Sequence, residues 1–156
     1  MTTALISADI ISVLLGRQIM TQAISDASNT IYQSLTNLVC YSQNVENVLS
    51  DLDIGNKIKI LEQLSKILNN YNTSNPLVDM ALEHMHDMII RIREDIKIIN
   101  KKLENHKNKL FSSWRKVNCR KEVENLKRHS NILDKRIELL FKSLEIDVKN
   151  SPVERI

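Results

Sequence analysis

The stretch NPLVDMALEHMHDMIIRIREDIKIINKKL, residues 75–103, decides the fold. Its apolar residues Val78, Leu82, Met85, Ile89, Ile92, Ile96, Ile99 and Leu103 step by four and three in strict alternation. Side chains at those intervals line one edge of an α-helix. Asn75 can cap that helix, and Pro76 suits its first turn because a first-turn N–H has no intrahelical acceptor. His106 and Leu110 continue the stripe. The helix is therefore expected over about 76–110, ~50 Å long at 1.5 Å per residue.

Residues 111–119 break the pattern, and a second seam follows: Val123, Leu126, Ser130, Leu133, Ile137, Leu140 and Leu144. Ser130 is its one polar entry, small enough to permit close approach or to specify register. Two seams joined by a short connection read as an antiparallel helical hairpin, about 76–110 and 120–147. Ile92, Ile96 and Ile99 are expected to face Leu133, Ile137 and Leu140.

A hairpin cannot bury its own seams and flanks, so the first half of the chain must cover them. Ile10, Leu14, Ile24, Ala27, Ile31, Leu35 and Leu38 carry helical spacing with a disturbance near Gly16. Val45, Val48, Leu49 and Leu52 form a short face, and Asp53-Ile54-Gly55-Asn56 reads as a turn. Ile58, Leu61, Leu64 (or Ser65) and Leu68 form another face, which ends at Asn69-Asn70. The expected product is an all-α bundle of four to five helices, one of them short or broken, over residues 1–147 with a tail at 148–156. If the helices do not all close on one another, the exposed stripe is left for another copy or a partner.

Composition agrees. Two Gly and two Pro in 156 residues are too few for a sandwich, a barrel or a Gly-rich nucleotide loop. Two Cys are too few for a disulfide scaffold or a cysteine-based zinc domain. Cys40 and Cys119 are read as reduced and at least half-buried. Ile (20), Asn (16) and Lys (14) dominate while Ala has five, the bias of AT-rich codons. A large DNA virus, a protist or a low-GC bacterium fits that bias. No export signal or membrane-length apolar run is present, so an intracellular protein is expected, in host cytoplasm or virion if viral. Asn72-Thr73-Ser74 matches a glycosylation acceptor, and without a signal peptide it reads as chance.

Charge is uneven. Residues 97–128 hold eleven basic groups against three acidic ones, a local net charge of +8 around the hairpin tip. Cations in the last turns of the long helix favour its dipole, but Arg115, Lys116, Arg120 and Lys121 lie where the next helix's dipole disfavours them. With Phe111 and Trp114 among them, these six residues are the candidate binding set. Their partner would be a protein, anionic lipid or nucleic acid. Trp114 would alternatively pin the loop to the bundle end.

Glu83 and His86 stand at i and i+3, as in carboxylate-bridged di-iron bundles. No second Glu-x-x-His exists in the chain, and both residues flank the Met85 seam. They read as rim side chains. His106 lies on the seam near a helix end, where a half-exposed imidazole meets the dipole. No nucleophile arrangement surrounds His129. The expectation is a non-catalytic protein with no metal, no cofactor and no small-molecule substrate, which associates with a protein partner or itself.

The run Lys107-Asn-Lys-Leu-Phe-Ser-Ser-Trp114, a short basic connection, then Lys121-Glu-Val-Glu-Asn-Leu126 through Ile137-Glu-Leu-Leu-Phe-Lys-Ser-Leu144 resembles the last two helices of HeLo-like bundles. The resemblance covers about residues 45–146. It implies a membrane-active module that binds anionic lipid through its basic hairpin tip, although only 147–156 follows the bundle where the family carries an effector segment. The small, Ile/Asn/Lys-rich, helical style is also similar to accessory and virion proteins of AT-rich large DNA viruses.

Overall fold

The computed structural model describes residues 2–38, 43–70, 75–109 and 117–150, with side chains from 16–37, 47–70, 75–109 and 117–150. Five helices follow in order: α1 (Thr2–Leu38), α2 (Gln43–Asp51), α3 (Ile54–Asn69), α4 (Pro76–Lys107) and α5 (Arg120–Asn150). The described residues contain no strand. The chain is an all-α bundle.

α4 forms where its sequence says it should. Asn75 is extended (φ −74°, ψ 112°) and its side-chain oxygen accepts from the Leu77 N–H at 3.0 Å, with Pro76 as the first helical residue. Asp79 lies in the first turn and Lys107 in the last, each with the sign the dipole favours. Every seam residue from Val78 to Leu103 is buried.

α5 runs antiparallel to α4. Lys102 pairs with Glu122, Asp95 with His129 and His84 with Arg136. These three ties fix the register. Leu103 lies level with Cys119, Ile99 with Val123, Ile96 with Leu126, Ile92 with Ser130, Ile89 with Leu133, Met85 with Ile137 and Leu82 with Leu140. The expected facing of Ile92, Ile96 and Ile99 with Leu133, Ile137 and Leu140 is therefore displaced by more than two turns. The cause is at the connection. Val117 is half-buried and Cys119 is buried, so the chain doubles back along α4's last turns before α5 begins. A sequence pattern centred on the loop cannot register that overlap. α5 also continues through Asn150, so residues 148–150 belong to the helix and not to a tail. Leu110 and residues 151–156 lie outside the described residues.

In the first half, α1 is unbroken through Gly16. One glycine costs a helix only about 1 kcal/mol, and Ile24, Ala27 and Ile31 bury fully further along the same helix. The turn expected at 53–56 narrows to Leu52-Asp53. Asp53 takes the left-handed conformation (φ 51°), which Asp tolerates, and its carboxylate accepts from Asn56 Nδ2 at 2.7 Å. Gly55 and Asn56 already belong to α3. The short helix is α2, with Leu49 buried in the common core.

α1 packs directly on α3 and α4, and α4 on α5. Thr21 meets Asn69 at the end of α3, so α1 and α3 are antiparallel. Arg17 meets Asp79 in α4's first turn, so α1 and α4 run the same way. α3 meets α5 across a wider seam that Lys57 bridges: its Nζ donates to Ser130 Oγ and to Asp134 Oδ2, both at 2.9 Å. The four long helices thus alternate in direction along the chain, and around the one aliphatic core the parallel pairs α1/α4 and α3/α5 are neighbours. Ile96 is fully buried in it. Ile96→Ala is expected to lower unfolding stability by about 2–5 kcal/mol, read from the urea midpoint at unchanged denaturant slope. A loss below ~1 kcal/mol would place this position outside the core.

Candidate functional site

The basic end of the hairpin is built from α4's last turns and α5's first. Asn108 closes α4 with its N–H on the Glu104 carbonyl at 3.1 Å, and the Lys109 N–H follows onto His106. On the other strand of the hairpin, Asn118 Oδ1 accepts from the Arg120 N–H at 3.2 Å, and Val123 N–H donates to the Cys119 carbonyl at 2.9 Å. An Asx side chain two residues upstream thus starts α5, as capping chemistry requires. Glu122 in the first turn has the sign the dipole prefers.

Two of the six candidate binding residues fall within the described residues. Arg120 is exposed and pairs with Glu124 at 3.0 Å, one turn on. Lys121 is exposed. Phe111, Trp114, Arg115 and Lys116 lie outside the described residues. Lys101, Lys109 and Lys127 are exposed as well, and Lys121 acts on the neighbouring Glu122 through its charge without a close ion pair. Lys102 is engaged instead: its Nζ lies 2.5 Å from Glu122 Oε1. That hydrogen bond from Lys102 holds the Glu122 carboxyl below its ordinary value. A depressed carboxyl stabilises the fold above the ordinary carboxylate range and loses that contribution as pH falls through its own lowered value. Beneath this tie, Cys119 is buried and unbridged. Burial first, then the Glu122 charge, pushes its thiol up.

Several interior polar groups are engaged with one another, while Ser28 Oγ is buried without a hydrogen-bond partner among the described residues. His129 Nδ1 lies 2.5 Å from Asp95 Oδ2, with both side chains about one-tenth exposed. Arg136 donates to His84 Nδ1 at 3.0 Å. Arg17 is buried and its Nε donates to Asp79 Oδ1 at 2.8 Å. Ser130 is held by Lys57. Sequence reasoning singled out Ser130 but missed Asp95, Lys57, Arg136 and Arg17. The available signal was position: Asp95 and His129 each sit one residue off a seam, where coiled-coil ion pairs form.

Glu83 is exposed and His86 is half-buried beside Asp87. Among the described residues no three His, Cys, Asp or Glu side chains are placed to hold a metal ion. None of the helices there is long and apolar enough to cross a membrane.

A second surface was not anticipated residue by residue. Where α3 and α5 end, Ile67, Leu68, Phe141, Leu144 and Val148 line an open apolar groove of about 350 Å³, with Glu145 and Lys149 on its rim. Ile67 is 62 % exposed, Phe141 46 % and Val148 61 %. Leu77 and Met80 at α4's start and Ile146 on α5 are also exposed. The register places all of them at the end opposite the basic tip.

These features define a helical bundle with a basic end and an apolar end. No family model matches the chain, and no solved structure matches it. The chain is similar to an uncharacterized protein of Acanthamoeba polyphaga mimivirus, with 26 % identity over 116 residues, 72 % of this chain and 53 % of the relative. It therefore spans about half the length of the curated relative it matches. A giant-virus relative agrees with the compositional expectation of a large DNA virus, while the HeLo-like resemblance rests on helix pattern alone.

Two outcomes are expected from this geometry. Asp95→Ala, which strands His129, should cost about 3 kcal/mol, and a double-mutant cycle with His129→Ala should return a coupling of at least ~0.5 kcal/mol. Additive losses would show that the pair contributes nothing. In a Cys40→Ser background, Cys119 should react with a thiol reagent far more slowly in the native protein than in urea, because burial hides the sulfur and disfavours the thiolate.

Proposed function

We propose that this chain is a non-catalytic helical interaction or assembly protein, an accessory or virion component of a large DNA virus. The observation that carries the reading is the separation of two exposed surfaces of opposite chemistry, one apolar and one cationic, at opposite ends of one bundle. Supporting it, three polar side chains among the described residues are held in ties between helices. Asp95 holds His129, Lys57 holds Ser130 and Asp79 holds Arg17. The similarity to a mimivirus protein supports the viral setting.

A second reading is favoured by the exposed lysines Lys101, Lys109, Lys121 and Lys127: a membrane-active bundle of the HeLo-like kind, whose basic tip meets anionic lipid. Near an anionic surface each cation contributes on the order of 1 kcal/mol. The two readings part in one experiment. The intact chain is sedimented with phosphatidylserine vesicles across a salt series, beside Lys101→Ser/Lys109→Ser/Lys121→Ser/Lys127→Ser and Arg115→Ser/Lys116→Ser/Arg120→Ser/Lys121→Ser. The interaction reading expects no vesicle binding at physiological salt. Vesicle binding that falls steeply with salt and is abolished by either quadruple variant would replace it with the membrane reading.

A further inference from the structure

Three residues of α5 are tied to α4 at seven-residue intervals: Glu122 to Lys102, His129 to Asp95 and Arg136 to His84. These ties turn one edge of α5 towards α4. The residue before each tie lies about 100° back around the helix. It is a cation in all three cases: Lys121, Arg128 and Lys135. All three are exposed. They form a nearly straight row beside the α4–α5 seam, about 10 Å from one to the next and about 20 Å long at 1.5 Å per residue. Arg91 on α4 is exposed and stands one heptad after His84, so it borders the same seam, and Lys127 is exposed beside Arg128.

The helix itself offsets little of that charge. Residues 120–142 hold four carboxylates, and each is engaged with a cation outside the row: Glu122 with Lys102, Glu124 with Arg120, Asp134 with Lys57 and Glu138 with Lys142. Arg128 donates to Asn125 Oδ1, an uncharged acceptor, at 3.4 Å. Cations that recur along a line suit a partner whose anions recur as well, which a lipid surface and a nucleic acid both offer. A helix lying in a lipid interface sets large apolar side chains beside its cations, and between Arg120 and Glu138 α5 exposes none. Binding to single strands relies on aromatic side chains that stack on bases, and residues 120–140 contain no Phe, Tyr or Trp. A duplex needs neither, because it presents one negative charge per about 1.7 Å of its axis. We infer that Lys121, Arg128 and Lys135, bordered by Arg91 and Lys127, dock on the phosphate backbone of a nucleic-acid duplex without reading its sequence. The row spans about six base pairs at 3.4 Å each. This deepens the interaction reading and rests on it: it names the partner of the cationic surface and leaves the apolar groove for another.

The test is fluorescence anisotropy of two labelled DNA duplexes of unrelated sequence, each about 30 base pairs long, titrated with the intact chain between about 50 and 200 mM salt. Both duplexes should bind with the same affinity. Each phosphate contact adds about −0.9 to the slope of log affinity against log salt, so four contacts weaken binding on the order of a hundredfold across that range. Lys121→Gln/Arg128→Gln/Lys135→Gln should raise Kd at least tenfold and flatten the slope by about 2–3. Helical content and urea midpoint should stay unchanged, since the three side chains are exposed. Lys59→Gln/Lys66→Gln/Lys149→Gln removes the same charge from exposed positions off the row and should change Kd by less than about threefold. Should the row variant unfold, Lys121→Gln/Lys135→Gln keeps the Arg128–Asn125 contact and should still raise Kd about fivefold. Absence of duplex binding at the lowest salt overturns the inference. So does an equal loss in the row and off-row variants, a tenfold preference for one duplex, or poly-glutamate that competes as well as unlabelled duplex. Those results leave the broader interaction reading standing. Binding to phosphatidylserine vesicles in place of duplexes, lost with the row variant, overturns both.

Discussion

Everything in this bundle depends on the burial of one aliphatic stripe, the α4 seam from Val78 to Leu103. α4 is the helix that packs on both α1 and α5. Each seam side chain removed from water contributes roughly 1.5–3 kcal/mol before entropy is counted. A stripe that narrow serves two neighbours only if both approach closely. Close approach explains the small residues on the facing elements: Ala27 and Ser28 on α1 and Ser130 on α5 are all buried. It also explains why the seam holds only Val, Leu, Ile and Met and the whole chain is poor in aromatics.

The polar ties sit at the margins of that stripe and serve geometry more than stability. The largely buried His129–Asp95 pair, and the half-buried Arg17–Asp79 pair, gain little over well-packed apolar residues, because desolvation offsets the Coulomb attraction. Each tie does, however, exclude alternatives. A pure heptad seam is compatible with slips of one or two turns. Asp95, Lys102 and His84 find partners on α5 in one register alone. Lys57 plays the same part for α3, which is held to α5 by a side chain reaching across instead of by direct backbone approach. That wider seam closes at the Lys57 level and opens towards Val148, so the fold leaves an apolar groove at one end. The opposite end carries the hairpin connection and its cations. The two surfaces are consequences of the same arrangement.

The sequence alone determined that the chain is all-helical, that a long hairpin occupies its second half and that Asn75-Pro76 starts it. These follow from local periodicity and capping, which need no knowledge of distant residues. It also located the charge excess, since counting charges requires no coordinates. Of the candidate binding set, Arg120 and Lys121 have described positions, and Arg120 spends part of its charge on Glu124.

Only the tertiary structure decided the register of the hairpin, the continuity of α1 through Gly16 and the fate of individual polar groups. Register depends on where Cys119 and Val117 pack, a contact between segments that a one-dimensional pattern does not encode. Gly16 reads as a break locally, yet a helix tolerates one glycine when its other residues gain packing. Asp95 and His129 look like ordinary flanking residues until the antiparallel approach brings them within 2.5 Å. The apolar end was likewise hidden. Ile67, Phe141 and Val148 each carry plausible helical spacing, and which apolar positions stay exposed depends on how many neighbours the fold supplies. α3 and α5 lack a helix between their C-terminal turns, and that is a property of the assembled bundle, not of any segment in it.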